Sequence, residues 1–226
     1  GHAMDAAMRE AVTRNGGKVV GGVRHPLNTQ DFSSFLLQAQ ATKAKMIALA
    51  SGGNDTVNAI KQGNEFGLEK TGQRLASLLT FITEVHSLGL EQMRGLQFVV
   101  PYYWDMDEQT RSFAKRFYDR LKKMPGEAQA GVYSAVLQYL KAVQAVGSKD
   151  TDKVLAKLKE MPIEDMFSRN GKLLPNGRLV HDMYLIEVKS PQESKYPWDY
   201  YRIISTIPAE QAFRSISETK CPLVKK

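Results

Sequence analysis

Between Met4 and Trp104 the spacing of apolar residues switches repeatedly between a helical period and a strand period, and this alternation limits the possible folds more than any motif does. MDAAMREAVTRNGG (4–17) has helical spacing and a glycine stop, and KVVGGVRHPL (18–27) reads as a strand. DFSSFLLQAQATKA (31–44) is helix and KMIALA (45–50) strand. Asn54 to Phe66 is helical again and stops before Gly67. RLASLLTF (74–81) follows as a strand, EVHSLGLEQM (84–93) as a short helix, and GLQFVVPYYW (95–104) as a strand that meets Pro101. Four strand–helix repeats of this kind predict an α/β fold with a parallel sheet covered by helices.

Beyond Trp104 the pattern becomes helical: 107–124, 129–146 and 151–160, separated by PGE and GSKD. No strand falls among these helices, so their apolar faces need a sheet that this stretch does not supply. From Met166 the chain turns to strands and turns. NGKLLPNGRL carries two Asn-Gly signals, HDMYLIEVKS alternates as a strand does, and DYYRIISTI reads as another strand.

With 226 residues, of which 42% are hydrophobic and 24% charged, the chain can bury one large core or two small ones. No apolar run approaches the ~20 residues of a membrane span, and GHAMDAAMRE lacks the basic start and apolar centre of a secretion signal. The net charge of +7 comes from charges interleaved with an apolar stripe at Phe113, Phe117 and Leu121, the pattern of a solvated helix face. No aromatic–basic interleaving or zinc spacing points to nucleic acid. His2, His25, His86 and His181 lack metal-ligand spacing, which leaves them as surface or capping residues. No cofactor is expected. Glu164-Asp165 is an acidic pair without an evident chemical partner, and no G-x-S-x-G elbow is present, so nothing supports an enzyme. Cys221 stands alone, which excludes an internal disulfide and leaves it either free or paired outside this sequence.

The one stretch that invites a ligand is Ser51-Gly52-Gly53-Asn54-Asp55, where the apolar run IALA breaks and restarts as a helix. In an open parallel sheet, ligands sit beyond the carboxyl ends of strands, where helix N-termini present free N–H groups and glycine allows close approach. The turn is not a phosphate loop, because neither the P-loop Lys nor the G-x-G-x-x-G spacing is present. Two readings stay open: a ligand-holding turn, or simple capping of the helix by Ser51, Asn54 or Asp55.

Taken in order, FSSFLLQAQATKAKMIALASGGNDTVNAIKQGNEFGL, LQFVVPYYW, SAVLQYLKAV and NGRLVHDMYLIEVKSP resemble the branched-chain amino acid type of ABC-transporter solute-binding protein, the type I periplasmic binding proteins. VRHPLNTQDFSSFLLQAQ and PYYWDMDEQTRSFAKRF are similar to phrases of its aromatic-acid subgroup. The resemblance covers nearly the whole chain and implies a two-lobed protein of periplasmic location. Such a protein closes on a small solute and delivers it to an ABC permease in the inner membrane. It further implies a C-terminal piece of that fold. Residues 1–100 would form the second-lobe sheet, 101–182 the crossings and first-lobe helices, and 183–226 the strands and tail returning to the second lobe.

For the site, the resemblance implies that Ser51, Gly52, Gly53 and Asn54 hold the solute together with Thr80 and Phe81 at the next strand end. Tyr102 and Tyr103 would be positioned either to stack on a ring or to serve as core. Branched-chain amino acid binders carry an aromatic residue in the first turn and an acid in the second. Here glycine and Thr80 stand instead, which removes the counter-charge for an α-ammonium and favours an aromatic carboxylate over a free amino acid. A Rossmann-like nucleotide enzyme and a receptor's ligand-sensing domain are the competing functions on related sheets. The missing glycine fingerprint weighs against the first.

Overall fold

Three β-strands in the first hundred residues run parallel, each followed by a helix, as the alternating periods require. In this computed structural model, which describes residues 1–219, 221, 222 and 224, α1 (His2–Arg14) and α2 (Ser33–Ala41) precede β1 (Met46–Leu49). Then come α3 (Asn54–Glu65), β2 (Arg74–Ser77), α4 (Ile82–Leu88), α5 (Leu90–Met93) and β3 (Gln97–Val100). The helices α6 (Glu108–Leu121), α7 (Glu127–Val146) and α8 (Thr151–Glu160) follow. A hairpin of β4 (Lys172–Leu173) and β5 (Leu179–Val180), the strands β6 (Met183–Val188) and β7 (Tyr201–Ile207), and the single turn α9 (Ala209–Ala212) complete the order. The main sheet has the order β1-β2-β3-β6-β7, with β1 parallel to β2 and β2 parallel to β3. This is the α/β arrangement of the type I periplasmic binding protein fold.

The chain divides into two units, Gly1–Val99 with Ile186–Arg202, and Val100–Leu185 with the described residues from Ile203 onward. It therefore passes between them at 99/100, 185/186 and 202/203.

In the first unit, Phe32, Leu36, Ala59 and Leu68 are buried together, and Phe35, Ile47, Leu49 and Leu75 pack on them. Burying each large side chain of such a cluster contributes roughly 1.5–3 kcal/mol. A polar stripe on α3 fixes the preceding loop. Asp55 Oδ2 accepts the Asn28 N–H at 3.2 Å, Asn58 Nδ2 donates to the Thr29 carbonyl at 3.1 Å, and Gln62 Oε1 accepts the Phe32 N–H at 2.7 Å. These α3 positions recur at helical spacing, so one face of one helix holds the segment leading into α2.

One predicted strand is absent. Residues 18–27 form no strand, and β1 pairs with β2 alone among the described residues. A strand is defined by its ladder, and without a neighbour the apolar run KVVGGV has no backbone partner to make it one.

In the second unit, Asp107 caps α6: its Oδ1 accepts the Thr110 N–H at 2.9 Å while Thr110 Oγ1 accepts the Asp107 N–H at 2.9 Å. This is a capping box with threonine in the usual Glu position. Helix α7 behaves differently from its hydrophobic pattern. It buries Ala130, Ser134, Gln138 and Ala142, while Val132, Val136 and Leu140 remain exposed. Gly177 at φ 79° makes the turn of the β4–β5 hairpin, in accord with the second Asn-Gly signal. His181 is a correction to the sequence reading. It is buried in the link between β5 and β6, with its ring edge-on to Phe167 and Phe213 at 5.1 and 5.4 Å, because two aromatic side chains cover it there.

Candidate functional site

The register of β1 and β2 decides where the glycine turn lies. Met46 pairs with Arg74 and Leu49 with Ser77 in parallel, so both strands end at the same edge of the sheet and the loops 51–54 and 78–81 leave it side by side. Their contact is close. A Cβ added to Gly52 would lie 2.8 Å from Leu79 Cδ2, so a larger residue there would have to displace the end of that leucine side chain.

The turn itself is not capped by a side chain. Gly53 occupies the N-cap position of α3 with φ 62° and ψ −142°, a conformation that L-residues rarely adopt. Ser51 Oγ lies 2.9 Å from Thr56 Oγ1 and Asp55 is turned to the Asn28 N–H, so none of the three expected capping residues accepts from the helix start. The first-turn N–H groups of α3 are thereby left for another acceptor, at the positive end of a twelve-residue helix.

The candidate residues differ in what they present. Gly53 and Asn54 are exposed, and Ser51, Gly52 and Phe81 are half-buried. Thr80 is buried and its hydroxyl donates to Ser77 Oγ at 2.7 Å, which ties its loop to the end of β2 and directs the hydroxyl inward. Tyr102 and Tyr103 belong to the second unit and are 2% and 4% exposed. Tyr102 packs against Phe113 and Phe167 with ring centroids at 6.4 Å in both cases, and burial drives its phenol far above the ordinary range, with Asp107 adding to the shift. Its surroundings are those of a core aromatic.

Glu84 is the residue that sequence reasoning missed. Its Oε2 accepts the Phe81 N–H at 3.0 Å and so closes a capping box at the start of α4. Burial pushes the Glu84 carboxyl above its ordinary value, against the lowering effect of the two N–H donors. The signal was available, since a glutamate three residues after a helix start is the far member of a capping box.

The second unit holds a separate concavity of about 400 Å³ lined by Phe113, Arg116, Tyr133 and Asp165, among others, and by none of the candidate residues. The Arg116 guanidinium stands over the Phe113 and Tyr133 rings at 5.9 and 5.8 Å. Among the described residues no group of three or more His, Cys, Asp or Glu is arranged to hold a metal ion.

The profile of the family described as periplasmic binding protein matches residues 1–195, and the chain belongs to that family. A periplasmic binding protein from Burkholderia mallei is 53% identical, with a TM-score of 0.93, and the match covers 100% of this chain and 60% of that one. A branched chain amino acid ABC transporter periplasmic ligand-binding protein from Burkholderia xenovorans is 50% identical, with a TM-score of 0.92, covering 99% of this chain and 60% of that one. A solute-binding protein of an ABC transporter from R. palustris, in complex with benzoate, shares the fold at 19% identity, with a TM-score of 0.76 over 91% of this chain and 56% of that one. This chain thus spans about 60% of the length of the Burkholderia proteins that it matches. A comparison with curated proteins finds no match.

Proposed function

We propose that this chain carries part of the solute site of an ABC importer's periplasmic binding subunit, a binding protein without catalytic chemistry. The subunit delivers its solute to a permease in the inner membrane. The observation that carries the proposal is the pair of adjoining strand-end loops, in which the first turn of α3 is uncapped by any side chain beside Gly53. Backbone N–H groups at a helix start favour a carboxylate, and glycine at positions 52 and 53 leaves room for a bulky group to lie against the backbone. Ser51, Gly52, Gly53 and Asn54 are assigned to the carboxylate end of the solute, with Phe81 beside its ring. Thr80 shapes the second loop from within.

An aromatic carboxylate fits this arrangement better than a free amino acid. Neither loop 51–54 nor loop 78–81 carries an acid to face an ammonium group, and Asp55 and Glu84, on the helices that follow, each accept a backbone N–H. The benzoate complex of the R. palustris protein supports the same solute class. Calorimetric titration with benzoate, L-leucine and ATP tests the reading. Heat from benzoate that disappears in Gly53→Ala is the expected result; binding of ATP alone would transfer the chain to the nucleotide-dependent class, and binding of leucine alone would overturn the choice of solute.

A further inference from the structure

We infer that the groove between α6 and α7 is a second small-molecule site, separate from the strand-end loops, which takes a carboxylate carried on a flat apolar body and holds it at Arg116. The inference does not rest on the reading of the loops as solute contacts. The groove follows from the spacing of residues on two helices. Ser112, Phe113 and Arg116 line it from α6, Tyr133 and Leu137 line it from α7 one turn apart, and Met166 lines it from the turn that follows α8. Its volume of about 400 Å³ lies in the range of sites that enclose small molecules.

The turn at 165–169 is fastened to both helices. Asp165 accepts from Ser134 Oγ and Gln138 Nε2 of α7 at 2.7 and 2.8 Å, and Arg169 Nη2 donates to Asp107 Oδ2, at the cap of α6, at 2.6 Å. Arg169 Nη1 donates to the Asp165 carbonyl, which closes the connection between the two helices. Walls tied in this way hold the lining side chains in place before a ligand arrives. Phe113 and Met166 are buried and supply the apolar part of the lining, whereas Arg116 and Tyr133 are exposed.

Arg116 sets the chemistry of the ligand. Its guanidinium stands over the Phe113 and Tyr133 rings at 5.9 and 5.8 Å, and those rings lie 4.9 Å apart with a tilt of 53°. A guanidinium placed over aromatic rings keeps its in-plane N–H fork for an acceptor, and that fork matches a carboxylate. Among the described residues Arg116 makes no ion pair. The acids of the lining are engaged elsewhere. Asp165 is held by four donors, and Glu108 pairs with Arg111 at 3.5 Å. An unpaired cation beside two aromatic rings and a buried apolar surface thus complements an acid that bears a ring.

The test uses the 226-residue chain with benzoate, which carries a carboxylate on a ring, and with benzamide, its uncharged counterpart. ¹H–¹⁵N spectra follow the backbone amides and the Arg116 Nε–H in the wild type, Arg116→Gln and Arg116→Lys. Benzoate is expected to shift the Arg116 Nε–H and the amides of 112–116, 133–137 and 166 to saturation, and benzamide to leave them in place. Loss of a charge-assisted hydrogen bond weakens binding about tenfold, so Arg116→Gln should lower affinity at the groove by that factor or more. Arg116→Lys, which keeps the charge without the fork, should lower it by less. Arg116 is exposed, so both variants should keep the wild-type spectrum away from the groove. Benzoate shifts confined to 51–54 and 78–81 overturn the second site and leave the solute reading standing. Shifts at the groove alone uphold the second site and overturn the solute reading, and shifts at neither place overturn both. Equal shifts with benzamide, shifts that do not saturate, or unchanged groove affinity in Arg116→Gln overturn the recognition of a carboxylate by Arg116.

Discussion

Two half-buried carboxylates, Glu84 in the first unit and Asp165 in the second, are displaced in opposite directions, and the difference lies in how many donors surround each. Burial alone pushes both upward. At Glu84 it wins against two backbone N–H groups. At Asp165 it is outweighed, because Ser134 Oγ and Gln138 Nε2 donate to Oδ2 at 2.7 and 2.8 Å while the Phe167 and Ser168 N–H groups donate to Oδ1 at 2.9 and 3.1 Å. Four donors make Asp165 a structural anchor that joins α7 to the turn at 165–168. Glu84, with the Phe81 N–H at 3.0 Å, caps the start of α4.

The comparison breaks most visibly at Asp165. Asp165→Ala leaves a buried hydroxyl, a buried amide and two N–H groups without their acceptor, and should cost about 3 kcal/mol, read as a lower urea midpoint with an unchanged slope. Asp165→Asn, which retains one acceptor oxygen, should cost roughly half as much. A loss for Asp165→Ala below that of Glu84→Ala would contradict the ordering.

Backbone freedom in the glycine turn comes next. Gly53→Ala forces an L-residue into φ 62°, ψ −142° and is expected to destabilise by about 1–2 kcal/mol, with the thermal midpoint as the measure. An unchanged midpoint would show that the turn relaxes without cost.

A smaller effect appears in the pH dependence, where the two carboxylates should act with opposite signs. Asp165 has a folded-state value below its unfolded one, so its contribution is present above pH ~3.9 and is lost as pH falls through the folded value. Asp107 shares that sign. Burial raises its carboxyl, but the Thr110 N–H, the Arg169 side chain at 2.6 Å and the Gln109 N–H together hold it below the ordinary range. Glu84 has a raised folded value, so its contribution is full below pH ~4.3 and is lost as pH rises through the folded value. Thermal scans should therefore show Asp165→Asn flattening the acid limb and Glu84→Gln flattening the limb above it. A Glu84→Gln variant that altered only the acid limb would reverse the assigned sign.

The smallest effect is expected at Gly52. Its added Cβ would meet the end of the flexible Leu79 side chain, so Gly52→Ala should change stability by less than about 1 kcal/mol while still weakening benzoate through the shifted loop. A large loss of stability would mean that Leu79 cannot move aside and that the two loops are rigidly packed.

The first unit was more legible from sequence than the second, for a physical reason that α3 and α7 illustrate. Helix α3 begins at the break in IALASGGND and buries Ala59 and Ile60 against a core that its own neighbours supply. Its start, its face and its place after a strand all followed from local spacing. Helix α7 was equally plain as a helix, but which of its residues are buried was not legible: Val132, Val136 and Leu140 are exposed, and Ser134 and Gln138 are buried around Asp165. Periodicity marks where apolar residues lie on a helix, and burial depends on what is packed against it. The run KVVGGV failed in the same way. Its residues favour a strand, but a strand exists only with a partner.

Sequence by itself determined the α/β class, the order of elements, the two strand-end loops and the family to which the chain belongs, because each rests on local period, turn chemistry or the order of elements. Tertiary structure alone decided that Thr80 turns its hydroxyl to Ser77 and that Tyr102 lies in a core. Only there does Asp165, one of two adjacent acids, gather four donors from segments far apart in the chain. These are contacts between segments brought together by strand register and helix packing. The energy that selects them belongs to the assembled unit, and no stretch of the chain carries it alone.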